Sequence, residues 1–495
     1  MGKNDEERVG FFADRTFYDV RITGWDPDKV SPEALADDQT TRGAKLEVFA
    51  VRGDGERRRA TESRRRCEGA HGARIYEGAG FSLRTSGNLT KGTPKSSYKI
   101  KLPRNGAGER LRGMRALNLK SMWNDVSQMR EALAWDLFAK ARVPAPRHTY
   151  ATLCINDRYH GLYSVIEDVD KGMLGVHFGD HDEGNLYKGH WNHRDLGPAD
   201  LTYRERGGDD GGSQYRRQKN HDRTYELDTN DDEPDKSTYD DLAALIRVLH
   251  GKTLPAGAPR RSPREGRGTA PVPWNAPEYR AQMEEIFDVK AFLRWAGVNA
   301  LLGAWDNYYG TPANYFLYNG GRGKKDDFMA RPFFHWIPWD YDHTFGIDYF
   351  DTRWHHADIV RWEEKTRTSA RALPLVTHLL ENDDFLRYYL EQLDFMLDRH
   401  FNEEWIAARI GDEAGREGLW QLVRGPAFQE SDGPTSAPHT GRRFSNDQVY
   451  WNGYRHFELT QGATFALGIL HYVRMRYDDV RRQIAALRAR RELGV

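Results

Sequence analysis

Residues 304–346 read AWDNYYGTPANYFLYNGGRGKKDDFMARPFFHWIPWDYDHTFG, and the organisation of the chain is decided there. Upstream, the apolar spacing of Val289 to Leu302 predicts a helix that ends just before Trp305-Asp306-Asn307. Asn314 to Tyr318 predicts a strand, Asn319-Gly320-Gly321 a hairpin turn, and Phe333 to Pro338 the returning strand. The return strand runs into Trp339-Asp340-Tyr341-Asp342. Carboxylates at a strand end can meet a carboxylate and an amide from the preceding loop in one cleft. Such a set offers the hard oxygen ligands that Mg²⁺ or Mn²⁺ takes.

Working outward, the first 170 residues carry strand patterns at Arg15 to Thr23, Leu46 to Val51, Gly80 to Thr85 and Ser97 to Leu102. A turn is expected at Ser86-Gly87-Asn88, and a hairpin of Tyr150 to Asn156 with Tyr159 to Glu167. One amphipathic helix is expected over Val126 to Ala141, with Met129, Leu133 and Leu137 on its apolar face, before the breaker Pro144-Ala145-Pro146. Beyond that point helices dominate, at about Tyr239 to His250, Val289 to Leu302, Asp384 to His400, and through the tail from Gln448 to Arg491. Three polar or Gly/Pro-rich stretches interrupt them: 190–232, 254–273 and 425–443. The expected fold class is α+β. A β-rich N-terminal lobe (1–169) is followed by a helix-rich C-terminal lobe (170–400) with a mobile insertion near 190–232, and by a helical extension (401–495).

Composition narrows the class. With 73 Lys plus Arg against 74 Asp plus Glu, no global field favours nucleic acid or an anionic membrane. The start is polar and no run of 18 apolar residues occurs, so a soluble chain, cytoplasmic by default, is the expectation. Cys67 and Cys154 are far apart and lack CxxC spacing, so two unpaired thiols are expected rather than a bridge or a cysteine zinc site. Asp228 to Asp235 superficially suggests a calcium loop but lacks the required Gly and Glu.

An acid after a helix, then an amide, a short hairpin and a second acid is the order in which protein kinases set the catalytic Asp, the metal-binding Asn and the second metal-binding Asp. The chain also resembles the CotH kinase family, the spore coat protein H-like atypical protein kinases. The resemblance is carried by SGNLTKGTPKSSYKIKL (Ser86 to Leu102), NLKSMWND (Asn118 to Asp125), YHGLYSVIEDVDK (Tyr159 to Lys171), GNLYKG (Gly184 to Gly189), WDNYYGTPANYFLYN (Trp305 to Asn319) and WIPWDYDHTFG (Trp336 to Gly346). It implies an atypical bilobal protein-kinase-like fold. It also implies an ATP- and metal-dependent phosphotransferase acting on protein Ser or Thr, with ATP and Mg²⁺ or Mn²⁺ as cofactors. The chain departs from the ordinary kinase pattern in carrying Gly310-Thr311-Pro312 between Asp306 and Asn314, which leaves Asn307 as a rival to Asn314.

Asp306 would then orient the attacking hydroxyl, whereas its bland reading is a residue of the turn after a helix. Asp340 and Asn314 would bind metal, and Asp342 would be a further ligand or would cap the next turn. Lys99 and Lys101 share one face of their strand by the period of two, so Lys99, with Lys101 as second choice, would present an ammonium to phosphates behind the Ser86-Gly87-Asn88 turn. Either Glu131 or Asp136 would tether that lysine. Glu167, Asp168 and Val169 would form the hinge whose backbone reads adenine. Three rivals remain at this stage: a DxD glycosyltransferase, an adenylyl transferase on the same fold, and an inactive coat, adhesin or scaffold protein. The first normally needs a doubly wound parallel sheet, and the N-terminal third reads antiparallel.

Overall fold

A computed structural model describes residues 3–492 apart from 30–34, 52–66, 68–71, 88–89, 91–92, 94, 104–109, 191–198, 206–210, 217–223, 253–270, 324–326, 350, 363–372, 433–442 and 462–463. The N-terminal part is built on an eight-stranded sheet. Its strands are β1 (Phe17–Thr23), β2 (Lys45–Ala50), β3 (Ala73–Ala79), β4 (Ser82–Ser86), β5 (Ser97–Lys101), β6 (Ala116–Lys120), β7 (His148–Ile155) and β8 (Arg158–Ile166), in the order β3-β2-β1-β7-β8-β6-β5-β4. All neighbours pair antiparallel except β1 with β7, which are parallel.

Alternation along β5, β6 and β8 sorts the two faces of this sheet. Tyr98, Ile100, Leu117, Leu119, Tyr163 and Val165 enter one closed apolar cluster. Register pairs Lys99 with Asn118, Asn118 with Ile166, and Lys120 with Ser164 on the other face. Against that face lies α2 (Arg130–Lys140), which follows α1 (Lys3–Phe11) in the chain. The residues of α2 from Arg130 to Leu137, except Asp136, are buried, so the helix is covered on most of its circumference rather than on one stripe.

A second sheet joins β9 (Asn185–Gly189), β10 (Tyr225–Leu227), β11 (Tyr315–Asn319) and β12 (Phe334–Pro338) in the order β10-β9-β11-β12, antiparallel throughout. At its edge Gly184 lies so close to Asn319 that a Cβ would overlap the Asn319 carbonyl. Around this sheet pack α3 (Lys171–Phe178), α4 (Asp240–Leu249), α5 (Pro277–Ile286), α6 (Val289–Leu302), α7 (Pro374–Glu381), α8 (Asp383–Arg399) and α9 (Glu403–Ile410). Helix α6 is the buried axis. Asp288 caps its start by accepting from Ala291 N at 3.1 Å, and Gly303 ends it at φ 60°. Beyond it come α10 (Trp420–Asp432), α11 (Asn446–Tyr454) and α12 (Ile469–Glu492), with a small sheet of β13 (Ile347–Asp348), β14 (Glu458–Gln461) and β15 (Thr464–Leu467), ordered β13-β15-β14.

The fold is α+β, and its β-rich first part and helix-rich remainder are consistent with a bilobal kinase-like arrangement. Four local expectations are corrected. The stretch 190–232 is not loop throughout: β10 extends the second sheet, Tyr215 and Tyr225 are buried, and Arg204 N donates to Tyr215 Oη at 3.1 Å, while 191–198, 206–210 and 217–223, on which much of the expected mobility falls, lie outside the described residues. The tail is not wholly helical, because Glu458 to Leu467 alternates and folds as the β14-β15 hairpin. The third interruption begins inside α10, whose Glu430 is buried against Lys95 at 2.8 Å. Cys67 and Cys154 form a disulfide with Cα atoms 5.9 Å apart, a spacing such a bridge accepts. Their sequence separation of 87 hid this proximity. No helix among the described residues is long and apolar enough to cross a membrane.

Candidate active site

The loop leaving α6 presents Asp306. Its Oδ1 accepts from Thr311 Oγ1 at 2.6 Å, and its Oδ2 lies 3.1 Å from His343 Nδ1. Asn314 Nδ2 donates to the Asp306 carbonyl at 2.8 Å, and Trp339 N donates to the Asn314 carbonyl at 3.0 Å. Because Tyr315 pairs with Pro338, Asn314 and Asp340 emerge at the open end of one hairpin. Both adopt left-handed backbone, φ 55° and 65°, which Asn and Asp tolerate better than most residues and which the surrounding packing must hold.

From the opposite side, Lys120 at the end of β6 donates to Asp340 Oδ1 at 2.6 Å, with Nζ 5.4 Å from the Trp339 ring centroid. Glu131, in the first turn of α2, lies beside this pair. It accepts from Ser164 Oγ at 3.1 Å and from Tyr341 N at 3.4 Å. Burial pushes the Glu131 carboxyl up to about 8 although Lys120 pulls it down, and Asp340 and Asp342 add to the rise. Asp342 is likewise pushed up to about 6, first by burial and then by Asp340, against the opposing charge of His343. Burial disfavours the Lys120 ammonium, but Asp340, Glu131 and Asp342 together hold it above its ordinary value.

His343 was not singled out from the sequence. It stacks on Trp305 at 5.3 Å, and its Nε2 lies 2.9 Å from the Tyr349 hydroxyl and 3.2 Å from the Asn124 amide nitrogen. Burial works against its charged form, yet Asp342 and then Asp306 raise it to about 9. The two carboxylates thus favour its imidazolium form. Asp306 in turn is held below the ordinary carboxylate range: burial acts to raise it, and the His343 bond and charge outweigh that. Only the adjacency to two aspartates in DYDH could have pointed to this histidine.

The other expected residues are distributed as follows. Lys99 donates to both carboxylate oxygens of Asp168, at 2.9 and 3.0 Å, and Asn118 Nδ2 joins Asp168 Oδ1 at 3.1 Å. Lys101 points away to exposed Asp38 at 2.6 Å. Ser86 ends β4 and Gly87 takes φ 82°, while Asn88 lies outside the described residues. Glu167 is buried between Arg8 of α1, at 2.6 Å, and Arg147, and its backbone N–H is taken by the Arg147 carbonyl at 2.9 Å. Val169 packs in an apolar cluster with Met173, Leu186, Phe316 and Ile337. Asn307 is buried and spent on structure, donating to Asn299 Oδ1 at 2.9 Å and accepting from Tyr309 N at 3.1 Å. Asp136 pairs with Arg409, 2.5 Å away, so the acid of α2 that meets the cleft lysine is Glu131. Lys188 of β9 is a second cation that sequence reasoning missed. Burial lowers its pKa, Asp228 opposes that, and the charges of Lys99 and Lys120 reach it.

The profile of the family described as CotH kinase protein matches residues 83–413, which span β4 through α9 and the whole of this cleft. The Inner spore coat protein H of Bacillus subtilis (strain 168) is 24% identical to the chain over 308 residues, covering 60% of this chain and 67% of that protein. The match to the family profile covers well over half of the 495 residues, and the chain belongs to the CotH kinase protein family.

Proposed function

We propose that the chain is an ATP- and divalent-metal-dependent phosphotransferase whose acceptor is a Ser or Thr hydroxyl of a protein. The observation that carries this reading is the meeting of Lys120 and Glu131 from the N-terminal sheet and its helix with Asp340, Asp342 and Asp306 from the C-terminal part. Glu131, Asp340 and Asp342 crowd around one ammonium, an excess of negative charge that a dication would offset, and their oxygen donors suit Mg²⁺ or Mn²⁺. Asp340 and Asp342 would hold the ion, with Asn314 Oδ1 as the amide ligand, since its Nδ2 is engaged by the Asp306 carbonyl. The ion supplies charge neutralisation of the phosphate oxygens when bound.

Lys120 would present its ammonium to the nucleotide phosphates, with the Glu131 carboxyl beside it. Lys99 and Lys188 add positive charge further along the cleft. Asp306, kept ionised by His343 and oriented by Thr311, would accept the hydrogen bond of the attacking hydroxyl. The hydroxyl oxygen bonds to the γ-phosphorus as the bridging bond to the β-phosphate breaks. ADP leaves, and the hydroxyl proton passes to Asp306 and then to solvent.

Incubation with Mg²⁺ or Mn²⁺ and ATP labelled at either the γ- or the α-phosphate tests this reading. Transfer of γ label to a Ser- and Thr-containing protein supports it. Transfer of α label alone would replace it with adenylyl transfer, and stabilisation by UDP-sugars but not ATP would replace it with glycosyl transfer.

A further inference from the structure

Outside the cleft, one cluster of donors has no role in the chemistry above. His456 stands two residues ahead of Glu458, the first residue of β14. His471 lies in the first turn of α12. The junction between them is tight: Gly468 N donates to the Phe457 carbonyl at 2.7 Å, and a Cβ at Gly468 would stand 2.6 Å from the Arg455 carbonyl. Glycine at 468 therefore lets the His456 segment close onto the helix start. The two imidazole rings come within 3.6 Å, and one ligand atom from each of His456, Glu458 and His471 lies within 4.8 Å of the others. Among the described residues no other side chain forms an ion pair or hydrogen bond with these three, whereas the neighbouring Arg474 is occupied by Glu403 and Arg455 by Glu413.

We propose that His456, Glu458 and His471 form a second cation site, for a transition-metal dication of the Zn²⁺ class, separate from the hard-cation site of the cleft. Two imidazoles and one carboxylate are a donor set that zinc takes with water in the fourth position. Bond lengths of about 2.0–2.2 Å in a tetrahedron put ligand atoms roughly 3.3 Å apart. From separations of at most 4.8 Å the side chains need close in by no more than about 1.5 Å to reach that spacing. Mg²⁺ and Ca²⁺ prefer an all-oxygen shell and are excluded by the same chemistry.

The site would brace the hairpin against α12. That hairpin continues toward the cleft: β15 pairs with β13, Leu467 N donates to the Gly346 carbonyl at 3.3 Å, and the Leu467 carbonyl accepts from Arg130, one residue before Glu131, at 2.6 Å.

The test is calorimetric titration of tag-free, chelator-treated full-length protein with zinc chloride alone, alongside melting with and without zinc. Wild type should bind one equivalent at this site and melt higher with zinc. His456→Ala and Glu458→Gln, at exposed positions, should melt like wild type without zinc and bind it at least tenfold more weakly. Asp340→Asn should keep the zinc isotherm, which separates this site from the cleft. Absence of zinc binding by wild type overturns the proposal. So does unchanged affinity in both His456→Ala and Glu458→Gln, including the case in which Asp340→Asn alone abolishes binding.

Discussion

Replacing Lys120 by Met tests which lysine serves the cleft, because Lys120 and Lys99 lie on neighbouring strands of one face yet hold different partners. Lys120→Met keeps most of the aliphatic stem and removes the ammonium 2.6 Å from Asp340. Glu131, Asp340 and Asp342 then face one another with no lysine between them. A gross attraction of about 4 kcal/mol per contact at 4 Å is offset by desolvation, and breaking one partner of a largely buried pair costs about 3 kcal/mol net. Lys120 is 16% exposed and Asp340 29%, which places the expected loss at the lower end of that range. Loss of the phosphate contact should weaken ATP·Mg²⁺ binding at least tenfold. Ligand at about 100 times its dissociation constant adds roughly 2.7 kcal/mol to the folded state, and a tenfold weaker site leaves about 1.4. Melting with and without ATP·Mg²⁺ should therefore show about half the wild-type shift or less, with transfer abolished. Lys99→Met, which breaks the comparably buried pair with Asp168 and leaves Asp340 with its lysine, should keep at least most of the shift. A full shift and full transfer in Lys120→Met, with both lost in Lys99→Met, refutes the assignment of Lys120.

Glu131→Gln removes a titratable carboxyl beside Lys120 with little change of shape, so transfer should fall by at least an order of magnitude while the melting temperature moves little. Glu167 is buried; burial would raise its pKa, but Arg147 and Arg8 hold it below 4.5. A depressed folded pKa means stability present above the unfolded value and lost as pH falls through the folded one. Glu167→Gln should thus cost about 3 kcal/mol at neutral pH, and denaturant melts of the two proteins should converge as the pH drops below about 4. Gly184→Ala should lower the melting temperature by several degrees, because the new methyl group meets a backbone carbonyl of β11 that cannot turn aside.

The hairpin from Asn314 to Asp340 was legible because β-branched and aromatic runs, a Gly-Gly turn and a preceding helix of clear periodicity all agreed. The depth of the cleft was not. Period two shows that Lys99 and Lys101 share a face, but only the sheet order reveals that β6, one strand nearer the centre, brings Lys120 over Asp340. The apolar-face argument misread α2 because that helix is buried nearly all round, so Glu131 could be both off the Met129-Leu133-Leu137 stripe and inside. His343 gained its role from partners 37 and 219 residues away, Asp306 and Asn124, which no local pattern encodes. The β14-β15 hairpin did carry a readable signal, alternation around Gly462, and was lost to the helical periodicity on both sides of it.

The central claim is that Asp340 and Asp306 do different work in one cleft, metal holding and hydroxyl orientation. The most direct test measures ATP·Mg²⁺ binding and γ-phosphate transfer together in wild type, Asp306→Asn and Asp340→Asn. The account predicts that both variants lose transfer, that Asp306→Asn keeps the metal-dependent melting shift, and that Asp340→Asn loses it. A full metal-dependent shift in Asp340→Asn, or undiminished transfer in Asp306→Asn, would contradict it.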